Sequence, residues 1–170
     1  MFGGIERSLA TFQVEALSAE YFLRGQFKPL GDLGVFLNDR RRDFIRLDDV
    51  ELIPLVAGRQ QRGVRREAVN VHKQTLLALS LTVADEAQGV QILASKRPVV
   101  FYLGSLIVRG ELHVNVDALD EDLLDDARDF HPVSKATIYY LHNGAAPFAR
   151  EAPLLFVQRA SVQAYHLYEE

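Results

Sequence analysis

The chain has 170 residues and a net charge of -4, with 48% apolar and 25% charged residues, a balance that suits a folded globular protein rather than a disordered one. It contains no cysteine, which excludes disulfides, thiolate metal sites and cysteine nucleophiles and fits a reducing cytoplasm. No apolar run approaches the ~20 residues that span a bilayer, and Met1 to Arg7 lacks the basic start and apolar stretch of a secretory signal. A soluble, cytoplasmic protein with no membrane contact is expected.

In chain order, Thr11 to Leu17 places Phe12, Val14 and Ala16 at a period of two, which predicts a half-buried strand. Ser18-Ala19-Glu20 is a turn, and the aromatic-rich run Tyr21 to Phe27 predicts a second strand, with Gly25 marking a bend or bulge. Gly31 to Asn38 reads as a short helical turn capped by Asp32. Phe44 to Leu47 and Val50 to Val56 read as two strands separated by a turn at Asp48-Asp49. Residues 57–66 read as a basic loop, followed by strands Ala68 to Val71 and Thr75 to Thr82. Residues 84–97 form a linker, in which Val90 to Leu93 has the composition of an additional strand. Strands are then predicted over Val99 to Leu103, Leu106 to Val114, Ala136 to Leu141, Leu154 to Val157 and Ser161 to Leu167, with a helix over Ala118 to Ala127 capped by Asp117.

The second series restates the first. Arg24-Gly25 returns as Arg109-Gly110, Arg42-Asp43-Phe44 as Arg128-Asp129-Phe130, and Val71-x-Lys73 as Val157-x-Arg159. The offset moves from 85 to 86 positions, so a single inserted residue accounts for the register. Repetition at this length predicts a copied folding unit. The expected fold is all-β with minor helical inserts, as two tandem small β-barrel modules: residues 1–83, a linker 84–97, and residues 98–170. Charge divides unevenly between them. Residues 1–83 hold 12 Lys+Arg against 10 Asp+Glu, and residues 84–170 hold 7 against 13.

Leu23-Arg24-Gly25-Gln26-Phe27, a strand with a glycine at its bend, followed by Val71-His72-Lys73-Gln74-Thr75-Leu76-Leu77, resembles the Sm-like (SH3-like) small β-barrel. Phe36-Leu37-Asn38 with Asp43 to Asp48 is similar to an uncharacterised bacterial domain family of unknown function. The Sm resemblance implies a closed barrel and RNA as a ligand. The helical insert after the second strand, and the lack of an evident N-terminal helix, depart from that family.

Two charged groups are the candidate sites. Arg40, Arg41, Arg42, Arg59, Arg62, Arg65 and Arg66 form a basic concentration that would bind phosphates if the 57–66 loop folds beside residues 40–42. Asp120, Glu121, Asp122, Asp125 and Asp126 read as the solvated face of a helix, without the glycine and oxygen spacing of a calcium loop. The repeated Arg-Asp-Phe triplets read either as equivalent polar pockets or as turns anchored by the phenylalanine. The five histidines make no H-E-x-x-H pair, and no G-x-S-x-G, P-loop or G-x-G-x-x-G run is present. No catalytic residue, metal or cofactor is expected. The leading expectation is a non-enzymatic binding or assembly module that engages a protein partner or itself through charged surfaces, the basic patch of one molecule meeting the acidic segment of the next. Nucleic-acid binding through the arginines is the alternative.

Overall fold

The alternation in Phe12, Val14 and Ala16 has the cause read from the sequence, but Leu17, of opposite parity, is buried too. A strand apolar on both faces must lie inside a sheet covered on both sides. A computed structural model of the chain describes residues 9–55, 62–142 and 146–169. In chain order its elements are β1 (Phe12–Ser18), β2 (Tyr21–Phe27), α1 (Leu33–Leu37), β3 (Phe44–Pro54), β4 (Val64–His72), β5 (Leu76–Leu81), α2 (Ala84–Gln88), β6 (Lys96–Leu103), β7 (Leu106–His113), β8 (Phe130–Tyr140), β9 (Glu151–Gln158) and β10 (Ala164–Leu167), with single 3-10 turns at Lys73–Thr75 and Arg159–Ser161. The protein is therefore mostly β, with two short helices.

All ten strands join one sheet in the order β10-β6-β7-β8-β9-β5-β1-β2-β3-β4, every pairing antiparallel. The order within each half is the same: fifth strand, first, second, third, fourth. Among the described residues the sheet is not closed, and in place of the expected pair of closed barrels there is one continuous ladder with β10 and β4 at its ends. The reason lies at the centre. β9 forms its outer ladder with β5 of the other half, using the edge that self-closure would need.

The two halves match in detail. Both second-to-third strand ladders shift register at the same place, between Arg24 and Gln26 and between Arg109 and Glu111. Asp49 and Lys135, equivalent at the 86-residue offset, are the two non-glycine residues with positive φ among the described residues, at 50° and 48°. They sit one residue past Asp48 and Ser134, where the third strand passes the glycine of the second. A Cβ on Gly25 would lie 2.9 Å from the Asp48 carbonyl oxygen, and one on Gly110 would lie 2.8 Å from the Ser134 carbonyl oxygen and 2.7 Å from Val133 Cγ1. Both glycines admit a neighbouring backbone, the role read for them from the sequence.

Four expectations need correction. β3 runs unbroken through Asp48-Asp49, because one left-handed residue absorbs the bend without ending the ladder. β4 starts at Val64, so the last residues of the expected loop are strand, and residues 56–61 lie outside the described part. Val90 to Leu93 adds no strand; Val90 is buried against the first half's core. Residues 118–127 form turns, not a helix. Carboxylates at 117, 120, 121, 122, 125 and 126 repel one another at helical spacing, and Arg159 takes the carbonyls of Leu124 and Asp126. Leu123 and Leu124 are buried as foreseen, whereas Leu119 is exposed.

Two apolar clusters fill the molecule, and each borrows from the other half. Leu17, Phe22 and Ala78 join the second half's core, while Phe130, Leu154 and Phe156 join the first half's. Replacing Gly110 by alanine forces a methyl group into the β8 backbone and should cost about 1–3 kcal/mol, read as a lower urea midpoint at unchanged slope. An unaltered midpoint would contradict the close approach.

Candidate interaction surfaces

The junction between the halves is a short ladder, Ala78 with Val157, Leu79 with Phe156, Ser80 with Leu155 and Leu81 with Leu154. A side-chain staple reinforces it. Asn38, the C-cap of α1, uses both amide hydrogens and both lone pairs: Nδ2 donates to the carbonyls of Gly34 (3.0 Å) and Phe130 (3.2 Å), and Oδ1 accepts from the amides of Asp129 and Phe130, each at 2.8 Å. Arg40 adds Nε to Asp129 at 3.3 Å and Nη2 to the Ala127 carbonyl at 3.0 Å. On the other side, the buried Glu15 accepts from Arg24 (3.3 Å) and from the Ala149 amide (3.1 Å).

Lys73 and Arg159 do one job in both halves. Lys73 Nζ donates to the Leu37 and Asp39 carbonyls at 3.0 and 2.8 Å, and Arg159 Nη1 donates to the Asp126 carbonyl at 2.6 Å. Burial lowers the pKa of Lys73, with Asp129, Asp39 and Asp43 opposing that shift. The basic residue repeated in the sequence therefore pins the insert to the sheet.

The arginines do not gather in one patch. Arg41 and Arg42 lie against Asp39, at 3.0 and 3.7 Å, and the Arg41 hydrogen bonds hold the Asp39 carboxyl down at about 2. Arg42 also stacks over Phe36 at 4.9 Å. Arg65 and Arg66 pair in register with Glu51 and Val50, far along β3. At ~3.3 Å per residue, the six steps from Phe44 to Val50 separate the two groups by about 20 Å. They line different clefts, one of about 540 Å³ with Arg40 and Arg42 and one of about 510 Å³ with Arg65 and Arg66. Arg62 is exposed just before β4, and Arg59 lies outside the described residues. The acidic residues stay together: Asp120, Glu121, Asp122 and Asp125 are exposed on the turns beside β10, where the Tyr165 hydroxyl lies 3.2 and 3.1 Å from the carbonyls of Asp120 and Glu121. Asp126 instead turns inward to Arg128 and His131.

The sequence reading missed the two ends of the sheet. Residues that form the internal junction have counterparts at the free β4 edge: Phe130 becomes Phe44, Pro132 becomes Arg46, Leu154 becomes Ala68 and Phe156 becomes Asn70. Phe130 is 1% exposed and Phe44 is 54% exposed. The junction also holds an open groove of about 890 Å³ between α1, residues 91–93 and β8–β9, lined by Phe36, Leu93, Phe130 and Phe156. At the other end, β10 presents Ala164 and His166 where β5 presents Ala78 and Ser80. Aligning Leu154 to Val157 with Ala68 to Val71 would have exposed this contrast, since the two strands differ in polarity at alternate positions.

Comparison with protein-family models, with curated proteins and with solved structures finds no match to this chain. Among the described residues, no helix is long and apolar enough to cross a membrane, and no cluster of three His, Asp or Glu side chains could hold a metal ion.

Two outcomes follow from the junction. Asn38→Ala leaves the Asp129 and Phe130 amides and the Phe130 carbonyl short of a partner, while the Gly34 carbonyl keeps the residue-38 backbone amide, and should cost about 3 kcal/mol in urea unfolding; a loss below about 1 kcal/mol would show water replacing the staple. His131 is fully buried, with Nε2 3.1 Å from the Arg128 carbonyl and Nδ1 without a partner among the described residues. Burial, opposed by Asp126, depresses its pKa from 6.5 to about 4. The unfolded chain then binds the extra proton first, so the His131 contribution is constant above pH 6.5 and is lost as pH falls from 6.5 to 4, by at most about 3 kcal/mol. His131→Ile, which installs the residue found at the counterpart Ile45, should flatten that part of the stability profile. Parallel profiles for the two proteins would refute the assignment.

Proposed function

We propose that the chain is two copies of one small β-barrel-like module, fused, and that it works as a non-enzymatic assembly module joining end to end with further copies of itself. The observation that carries this reading is that the strands at the two ends of the sheet are the counterparts of the pair at its centre: β4 is the counterpart of β9, and β10 is the counterpart of β5. At the same register, Val71 would face Ala164 of the next molecule and Ala68 would face its Leu167. A strand edge with unpaired amides and carbonyls is a ready template for another strand.

Charge supports a second copy as the occupant. In the internal junction α1 lies over β8 and β9, with Gly34 close to Phe156. The second half's counterpart of α1 is the acidic turn, which would lie over Phe44, Arg46 and Asn70 of the next molecule. Asp120 and Glu121 would thus meet Arg42 and Arg46, an apolar contact within the chain becoming a charged one between chains. Polar residues on β4 weaken such a contact relative to the internal one, which suits reversible association governed by ionic strength. A heterologous contact of this kind closes into a ring or extends into a filament. The arginines, divided between two places and lying near carboxylates at both, lend less support to nucleic-acid binding.

Light scattering across a concentration series measures the association. Raising salt from ~50 to ~500 mM should dissociate the wild type. Ala68→Leu with Asn70→Phe restores two junction residues and should lower the association midpoint at least tenfold, since each buried apolar side chain is worth about 1.5–3 kcal/mol. Ala164→Lys, a charge on the β10 edge, should prevent association. A wild type and a double variant that both stay monomeric near ~1 mM would end this reading.

A further inference from the structure

The two halves serve as controls for each other at one exposed arginine. In the first half, Glu15 and Glu51 are the direct cross-strand neighbours of Arg24, and both engage its guanidinium, at 3.3 and 3.8 Å. In the second half the corresponding neighbours of Arg109 are Val100 and Thr137. Both carboxylates are gone. Among the described residues, no carboxylate lies within ion-pair distance of Arg109.

The groups around Arg109 differ as well. Its guanidinium lies over the Tyr168 ring at 4.2 Å. Stacking on a ring occupies the flat face of a guanidinium and leaves its N–H edge available for bidentate bonding in the plane. Tyr139 is 48% exposed, and Tyr102, stacked beside His166 at 5.7 Å, is 37% exposed. Tyrosine and arginine on an open sheet face are the residues that dominate protein–protein binding energy. Direct cross-strand pairing puts His166, Val100, Arg109 and Thr137 in one row on that face.

We propose that this face is a carboxylate-binding site for an acidic segment of a partner protein, with Arg109 taking an Asp or Glu side chain in place of the two glutamates that the first half supplies internally. The first half shows which chemistry satisfies an arginine at this position. The surplus of acidic residues in the second half works against a polyanion such as nucleic acid, which must approach over a long stretch, and far less against one carboxylate seated on one guanidinium. Arg109 lies on β7, two strands in from β10, so its carboxylate contact does not depend on end-to-end assembly.

A fluorescein-labelled peptide of about twelve residues, alternating Glu and Tyr, tests this by anisotropy against the full chain, beside an analogue with Gln in place of Glu. Arg109→Gln should weaken binding of the Glu peptide at least about tenfold, the range of a charge-assisted hydrogen bond. Thr137→Glu rebuilds part of the first half's arrangement and should do the same while the chain stays folded by its thermal melt. The Gln analogue should bind no better than the Arg109→Gln protein binds the Glu peptide. The proposal is overturned if the wild type fails to bind the Glu peptide at about 1 mM, or if both variants bind as the wild type does. It is also overturned if inorganic phosphate or a short oligothymidylate displaces the peptide at lower concentration than free glutamate does, which would make the site a phosphate receptor.

Discussion

The ladder between β5 and β9 is the constraint on which the rest of the molecule depends. Each half alone is a four-stranded meander whose fifth strand returns to pair the first, with an unpaired edge at either side, too small to cover both of its faces. Joining β9 to β5 leaves the sheet with two outer edges instead of four and places Phe130, Leu154 and Phe156 against the first half while Leu17, Phe22 and Ala78 enter the second. Neither core is complete without the other half. Asn38 fixes the alignment, because its three hydrogen bonds to Asp129 and Phe130 form together at one register alone.

The same constraint explains the ends. A heterologous contact uses different surfaces on its two partners, so two like halves joined by one such contact carry the counterparts of both surfaces at their outer ends. At β4, alternate residues that are apolar in β9 have become Arg66, Ala68 and Asn70. That change protects a free edge from uncontrolled pairing, as charges on natural edge strands do. It does so without removing the edge, and it sets arginines toward the end that would meet an acidic neighbour. The divergence in charge between the halves thereby acquires a geometric meaning: one half carries Arg46, Arg65 and Arg66 on β3 and β4, the other its acidic turn beside β10.

Much of the fold was legible. Gly25 and Gly110, Lys73 and Arg159, and the Arg-Asp-Phe triplets gave the repeat, and each pair occupies equivalent places. The expected strands other than Val90 to Leu93 have counterparts, the two over residues 44–56 merged into β3 and the last shortened to Ala164–Leu167. The closure did not follow, because strand pairing between halves is a long-range choice that period and composition do not encode. The acidic segment failed as a helix since helical periodicity in Leu119, Leu123 and Leu124 competes with like-charge repulsion and with Arg159, whose demand for carbonyls is invisible in a local window. A single arginine patch required the 57–66 loop to fold beside residues 40–42; an 11-residue strand, β3, holds residues 62–66 apart from them. Arg109 was noticed as a repeated residue, but its lost partners appear once the strand registers identify Val100 and Thr137 with Glu15 and Glu51.

Amide hydrogen exchange followed at rising protein concentration tests most directly whether the free ends copy the internal ladder. Residues 78–81 and 154–157 should exchange slowly at every concentration. Residues 68–71 and 164–167 should gain protection together as concentration rises and lose it together at high salt. Protection at the two ends that stays constant, or that rises at one end alone, would contradict the account.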